Sequence, residues 1–187
     1  MVKKKACVFI SGAGSNLRSI IFNSRDTNFP ININLVMCNN KNAAGINYAK
    51  KFSIPILVLN NNISKFEKKA LKELGDRKIK LVCLAGFMRV LSKNFLRNFN
   101  GKIINIHPSL LPKYKGLNTF KRALENNDTF TGCTVHYVNE KLDGGRVILK
   151  KRVEIKNEYI EKTLKQKVQA EEHVAYSMAI RKIYSSI

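Results

Sequence analysis

The stretch "KACVFISGAGSNLRSIIFNSR", residues 5–25, decides the architecture, because its hydrophobic period changes once and a glycine turn marks the change. Residues 5–11 form a short continuous apolar run suited to a buried strand, and residues 17–25 carry apolar side chains at helical intervals. Gly12 and Gly14 permit a tight turn between them, and the N–H groups that open the following helix favour an anion. The glycines do not match GxGxxG, and no lysine completes GxxxxGK[ST], so neither a dinucleotide nor a nucleoside triphosphate site is indicated. A plain strand-to-helix turn accounts for the same letters. Its place at the carboxyl end of a first strand favours a ligand, because parallel sheets bind ligands along that edge.

The same grammar continues outward. Short apolar stretches recur at 31–38, 54–59, 79–84 and 102–106, with helical patterns at 41–52, 64–75 and 92–99, the last beginning at Ser92. Ser64 followed by Glu67 matches a capping box and predicts a helix start there. After residue 116 the pattern changes. A helix at 118–126 precedes TGCTVHYV and GRVILKKRVEI, two strand-like runs around NEKLDGG that read as an antiparallel hairpin or as two neighbouring strands added to the sheet. A long helix over 158–183 is predicted to turn Ile160, Leu164, Val168, Val174, Met178 and Ile180 inward. The fold class is therefore α/β: a mainly parallel central sheet with helices on both faces and late antiparallel strands, in a single domain spanning 1–187.

Composition narrows the function. The opening MVKKKACVFIS is basic and then apolar, but the apolar part is short and runs into SGAGSN without a cleavage site, so it reads as a strand. No run is long enough to span a bilayer, and a soluble, cytoplasmic protein is expected. Cys7, Cys38, Cys83 and Cys133 lie far apart and form no CxxC pair, which suits reduced thiols and gives no zinc signature. The formal net charge of +21 predicts affinity for phosphate-bearing partners. The basic residues are spread along the chain and do not form one arm, so the charge does not identify the phosphate.

Three constellations carry chemistry. Asn105 and His107 lie two residues apart in extended backbone and project to one side, and Pro108 biases His107 toward that conformation. Paired donors of this kind suit a carbonyl that becomes an oxyanion during acyl transfer. A strand-end histidine bonded to a loop carbonyl is the structural alternative. Leu142-Asp143-Gly144-Gly145 allows a close backbone turn, and Asp143 either orients His107 or caps its own turn. His136, within an alternating strand, and His173, on a helix, read as structural.

FISGAGSN (9–16), LAGFMRVLS (84–92), NIHPSLLPKYKG (105–116), ALENND (123–128), KLDGG (141–145) and VQAEEH (168–173) together resemble, in order over nearly the whole chain, phosphoribosylglycinamide formyltransferase of purine biosynthesis. The resemblance implies a Rossmann-like formyltransferase fold and formyl transfer from 10-formyltetrahydrofolate to the amine of 5-phosphoribosylglycinamide, with no metal. It implies catalysis by Asn105, His107 and Asp143, the residues already selected from their spacing. It assigns Gly12, Ala13, Gly14, Ser15 and Asn16 to the acceptor phosphate and Glu172 to the acceptor amine. Lys65, Met88, Arg89, Val90, Leu91, Asn105, Leu142 and Asp143 fall to the folate. Three positions depart from the family pattern: Ala13 in the turn, Lys115 where KYPG is expected, and Ser177 where a proline is expected. The chain also ends soon after the final helix, without the extension of many relatives, and leaves no room for the RNA-binding domain of methionyl-tRNA formyltransferase. A monomer or homodimer is expected, with no specific nucleic acid and no membrane partner. Formyltetrahydrofolate hydrolysis and passive RNA binding are the competing readings.

Overall fold

Residues 5–25 fold as their pattern requires. Lys4–Ile10 is strand β1, whose last five residues are buried, and Ser15–Ser24 is helix α1, entered through Gly14 at φ 76°. The computed structural model describes residues 2–59 and 62–185, and the chain divides into two compact units between Ile104 and Asn105.

In the first unit β1 pairs in parallel with β2 (Ile31–Cys38) on one side and β4 (Leu81–Leu84) on the other, and β2 pairs in parallel with β3 (Ile56–Val58). The chain crosses over between these strands through α1, α2 (Ile46–Lys51) and α3 (Ile63–Asp76), and α4 (Lys93–Asn98) follows β4. β1 and β4 are apolar nearly throughout because neighbouring elements cover them on both faces. Phe9 of β1 meets Phe66 of α3 edge-on at 5.4 Å and Phe87, just past β4, at the same distance, while Phe66 and Phe87 lie 5.3 Å apart.

Strand β5 (Lys102–His107) leads into the second unit. There α5 (Thr119–Glu125) precedes β6 (Phe130–Tyr137) and β7 (Val147–Glu154), which pair antiparallel as the hairpin reading required. The closing helix α6 (Glu161–Tyr184) packs on both. The described strands thus form a mixed, mostly parallel arrangement with flanking helices, a Rossmann-like formyltransferase fold.

Several boundaries differ from expectation. The helix predicted over 41–52 forms only at 46–51, because Asn40 accepts from the Asn42 N–H and builds a turn first. The strand predicted over 54–59 shrinks to 56–58. The α3 cap is Asn62, whose Oδ1 accepts from the Lys65 N–H at 3.1 Å, not Ser64. Glu67, the supposed partner in a capping box, is buried and engaged elsewhere. Ser92 does cap α4, accepting from the Phe95 N–H. On α6, Leu164, Val168 and Ile180 face inward as expected, but Ile160, Val174 and Met178 are exposed. Ala175, Tyr176, Ala179 and Ile183 complete the buried face, since small and aromatic residues recur there at three and four positions. Ser177 leaves α6 unbroken and hydrogen-bonds back to the His173 carbonyl one turn earlier.

Candidate active site

In the second unit β5 delivers Asn105 and His107 at its end, and the loop between β6 and β7 delivers Asp143. His107 is buried, and its Nε2 lies 2.8 Å from the Tyr114 carbonyl oxygen. A carbonyl can only accept, so Nε2 carries the hydrogen. His107 Nδ1 stands 3.4 Å from Asp143 Oδ2. The loop-carbonyl contact is present, and the same ring turns its other nitrogen to the Asp143 carboxylate.

His136, read from the sequence as structural, belongs to the same cluster. Its Nδ1 donates to the Tyr137 carbonyl oxygen at 2.9 Å, which leaves Nε2 to accept from Asn105 Nδ2 at 3.3 Å. The same Nε2 lies 3.6 Å from Asp143 Oδ1. One carboxylate thus faces two imidazoles, one of which also fixes the Asn105 amide. The Asn105 amide nitrogen carries two hydrogens, and this contact uses at most one of them. The signal for His136 was present in the sequence. Thr134 and His136 are polar side chains two residues apart on one face of a buried strand, and Thr134 Oγ1 donates to the Ser109 carbonyl and accepts from the Leu111 N–H.

Asp143 has φ 45°, a left-handed conformation that aspartate tolerates better than most residues. Burial raises its pKa, but His136, the Gly116 N–H at 2.9 Å and the His107 ring outweigh that effect and hold it below the ordinary aspartate value. Gly145 is needed for the turn, since a Cβ there would sit 1.7 Å from the Tyr137 carbonyl oxygen that holds His136. Glu172 is buried on α6, where its charge, after burial, helps push the Cys133 thiol of β6 up to about 12. All four cysteines are buried, and none is in a disulfide.

The first unit presents a separate polar cavity of about 680 Å³ along the carboxyl ends of its strands. Ser11, Asn39–Asn42, Val58, Leu59, Met88 and Arg89 line it; Val90, Leu91 and Lys65 do not. Ser11 ties this edge together: its Oγ donates to Asn39 Oδ1 at 2.7 Å and accepts from the Met88 N–H at 2.8 Å. The segment Met88–Leu91 is held at its far end by Glu67, which accepts from the Ser92 N–H at 2.6 Å and from its hydroxyl. Between these anchors Met88 and Val90 are 67% and 69% exposed, two apolar side chains held out to solvent on fixed backbone. Lys65 is exposed on the first turn of α3, and Leu142 is exposed beside Asp143.

The glycine turn is asymmetric. A Cβ on Gly14 would sit 2.5 Å from the Gly45 backbone, whereas one on Gly12 meets nothing within 4 Å. Gly12 and Ala13 are exposed, and Gly14 brings no side chain to cap α1. Among the described residues no group of three or more His, Cys, Asp or Glu side chains is placed to hold a metal ion, and no helix is long and apolar enough to cross a membrane.

An asparagine amide and two imidazoles thus gather around one carboxylate, and residues 4–180 match the formyl transferase family. The chain is 40% identical to the phosphoribosylglycinamide formyltransferase of Haemophilus influenzae, over 95% of this chain and 86% of that protein. A crystal structure of phosphoribosylglycinamide formyltransferase from Anaplasma phagocytophilum superposes with a TM-score of 0.94 at 34% identity, covering 99% of this chain and 88% of that one. The human trifunctional purine biosynthetic protein adenosine-3 is 42% identical over 98% of this chain, which spans 19% of its length. The chain belongs to the phosphoribosylglycinamide formyltransferase branch of the formyl transferase family.

Proposed function

We propose that residues 1–187 act as a single formyltransferase domain in the cytoplasm. The protein transfers the formyl group of 10-formyltetrahydrofolate to the primary amine of 5-phosphoribosylglycinamide, in de novo purine biosynthesis. The observation that carries this reading is the Asp143 carboxylate set between His107 and His136, with Asn105 fixed by the latter. The amine attacks the formyl carbon and forms a C–N bond. Asn105 and His107 stabilise the developing oxyanion, and Asp143 holds His107. The C–N10 bond then breaks as the amine proton passes, through Asp143 or a water it holds, to the departing tetrahydrofolate nitrogen. Loss of one oxyanion donor costs about 100- to 1000-fold in kcat.

The acceptor's phosphate is assigned to Gly12–Asn16 and its amine to Glu172. The donor is assigned to Met88, Arg89, Val90 and Leu91, with Lys65, Leu142 and Asp143. Exposed Met88 and Val90 suit a flat heteroaromatic ring system, because burying them recovers apolar area.

The test is a two-substrate assay with purified protein, following tetrahydrofolate and formate with the acceptor present or omitted. Acceptor-dependent tetrahydrofolate formation without formate is expected. Asn105→Ala, His107→Ala and Asp143→Ala should each reduce it by at least about 100-fold. Formate release that ignores the acceptor would make the protein a hydrolase, and near-normal transfer by all three variants would remove the site.

A further inference from the structure

The backbone of Tyr114–Leu117 supports both ionisable members of the cluster: the Tyr114 carbonyl receives His107 Nε2, and the Gly116 N–H donates to Asp143 Oδ2. On its near side Ser109 Oγ donates to the Lys113 carbonyl at 2.5 Å and reaches the Tyr114 carbonyl at 3.4 Å. Tyr114 and Gly116 both have left-handed φ, 55° and 79°, and Lys115 between them lacks the ring by which a proline would fix its own φ.

We propose that Arg122, on α5, is a positioning residue for the reaction, acting as a clamp that holds this loop and through it orients His107 and Asp143; the claim rests on the formyl-transfer reading above. Arg122 Nη1 donates to the Lys115 carbonyl at 2.8 Å, with the Leu117 carbonyl 3.5 Å away, and its guanidinium lies over the Tyr114 ring at 4.8 Å. The planar fork thus grips the carbonyl of the unconstrained residue and the face of the side chain whose carbonyl holds His107. Asn126, one turn further along, donates to the Tyr114 hydroxyl at 2.8 Å and fixes the other end of that ring. Lys113 reaches the ring at 5.2 Å but is drawn off to Asp128 at 2.6 Å, so it does not replace the guanidinium. Arg122 itself is part-exposed, and these contacts are with the loop and the Tyr114 ring, not with His107 or Asp143.

The test compares Arg122→Ala and Arg122→Lys with a neighbouring control, Lys121→Gln, in the full chain. Arg122→Ala should lower kcat by about tenfold while the acceptor KM stays within about twofold, the pattern of a lost transition-state interaction. Arg122→Lys, with a point charge and no planar fork, should recover only part of the loss. Millimolar guanidinium should restore Arg122→Ala and leave the control unaffected. In ¹⁵N spectra the His107 Nε2 proton, held on the Tyr114 carbonyl in the parent, should broaden through exchange in Arg122→Ala, while the His136 Nδ1 proton on Tyr137 stays sharp. An unchanged kcat with an unchanged His107 signal overturns the clamp. So does a loss that follows the melting temperature alone, without guanidinium rescue. If the parent transfers no formyl group, the functional reading falls by itself, and the imidazole signals still decide whether Arg122 holds the loop.

Discussion

Asp143 is the one carboxylate of the cluster, and its depressed pKa ties stability to pH in a definite direction. A group whose folded pKa lies below its unfolded value contributes stability above the unfolded pKa and loses it as pH falls through the folded one. The melting-temperature gap between the parent and Asp143→Asn should therefore be full at neutral pH. It should close as the pH drops below the ordinary aspartate range, because burial is outweighed there by His136, Gly116 and His107. Thermal melts of both proteins from neutral to acid pH check this, and a gap independent of pH would mean that the ionised carboxylate is not what the two rings hold. The glycine turn offers a second test at this scale. Gly14 cannot be enlarged without striking the Gly45 backbone, so Gly14→Val reports on folding. Gly12 faces open space, and Gly12→Val should raise the acceptor KM at least about tenfold, as lost binding of about 1.4 kcal/mol, with an unchanged melting temperature. An unchanged acceptor KM would take the phosphate away from this turn.

At the scale of elements, α3 does more than cover the sheet. Successive residues Phe66 and Glu67 hold the two ends of one segment, Phe66 packing on Phe87 and Glu67 binding Ser92, so the exposed stretch from Met88 to Val90 is held between fixed points. The capping-box pattern pointed to the wrong role for Glu67 because local spacing cannot see a partner 25 residues away. The helix start belongs to Asn62 instead. Asn62→Ala should cost about 1 kcal/mol in denaturant unfolding, whereas Ser64→Ala should stay within about 0.5 kcal/mol. Equal losses would restore the capping box. The misread stripe on α6 has a similar cause: Val174 and Met178 satisfy a helical interval, but Ala175, Tyr176 and Ala179 are the residues buried on this helix, which packs on β6 and β7.

At the scale of the whole molecule, a net charge of +21 meets substrates that are both anionic under the proposed reading. Attraction of this kind steers encounter and is screened by salt, with a Debye length of about 8 Å at physiological ionic strength. Raising salt from about 50 to 500 mM should therefore raise both KM values several-fold and leave kcat nearly constant, as read by steady-state kinetics across a salt series. A kcat that falls in parallel would place the effect on the cluster itself.

The sequence by itself determined the alternation of strands and helices, the glycine turn after β1, the late hairpin and the choice of Asn105, His107 and Asp143, because each is written in short-range periodicity or in residue types at fixed spacing. What only the tertiary structure decided is how these residues are held: His136 joining Asn105 to Asp143, the Tyr114 carbonyl selecting the His107 tautomer, and Arg122 bracing the loop that supplies it. Those bonds link positions brought together by strand pairing and a left-handed loop, and the direction of a lone pair or an N–H exists only once the backbone is in place.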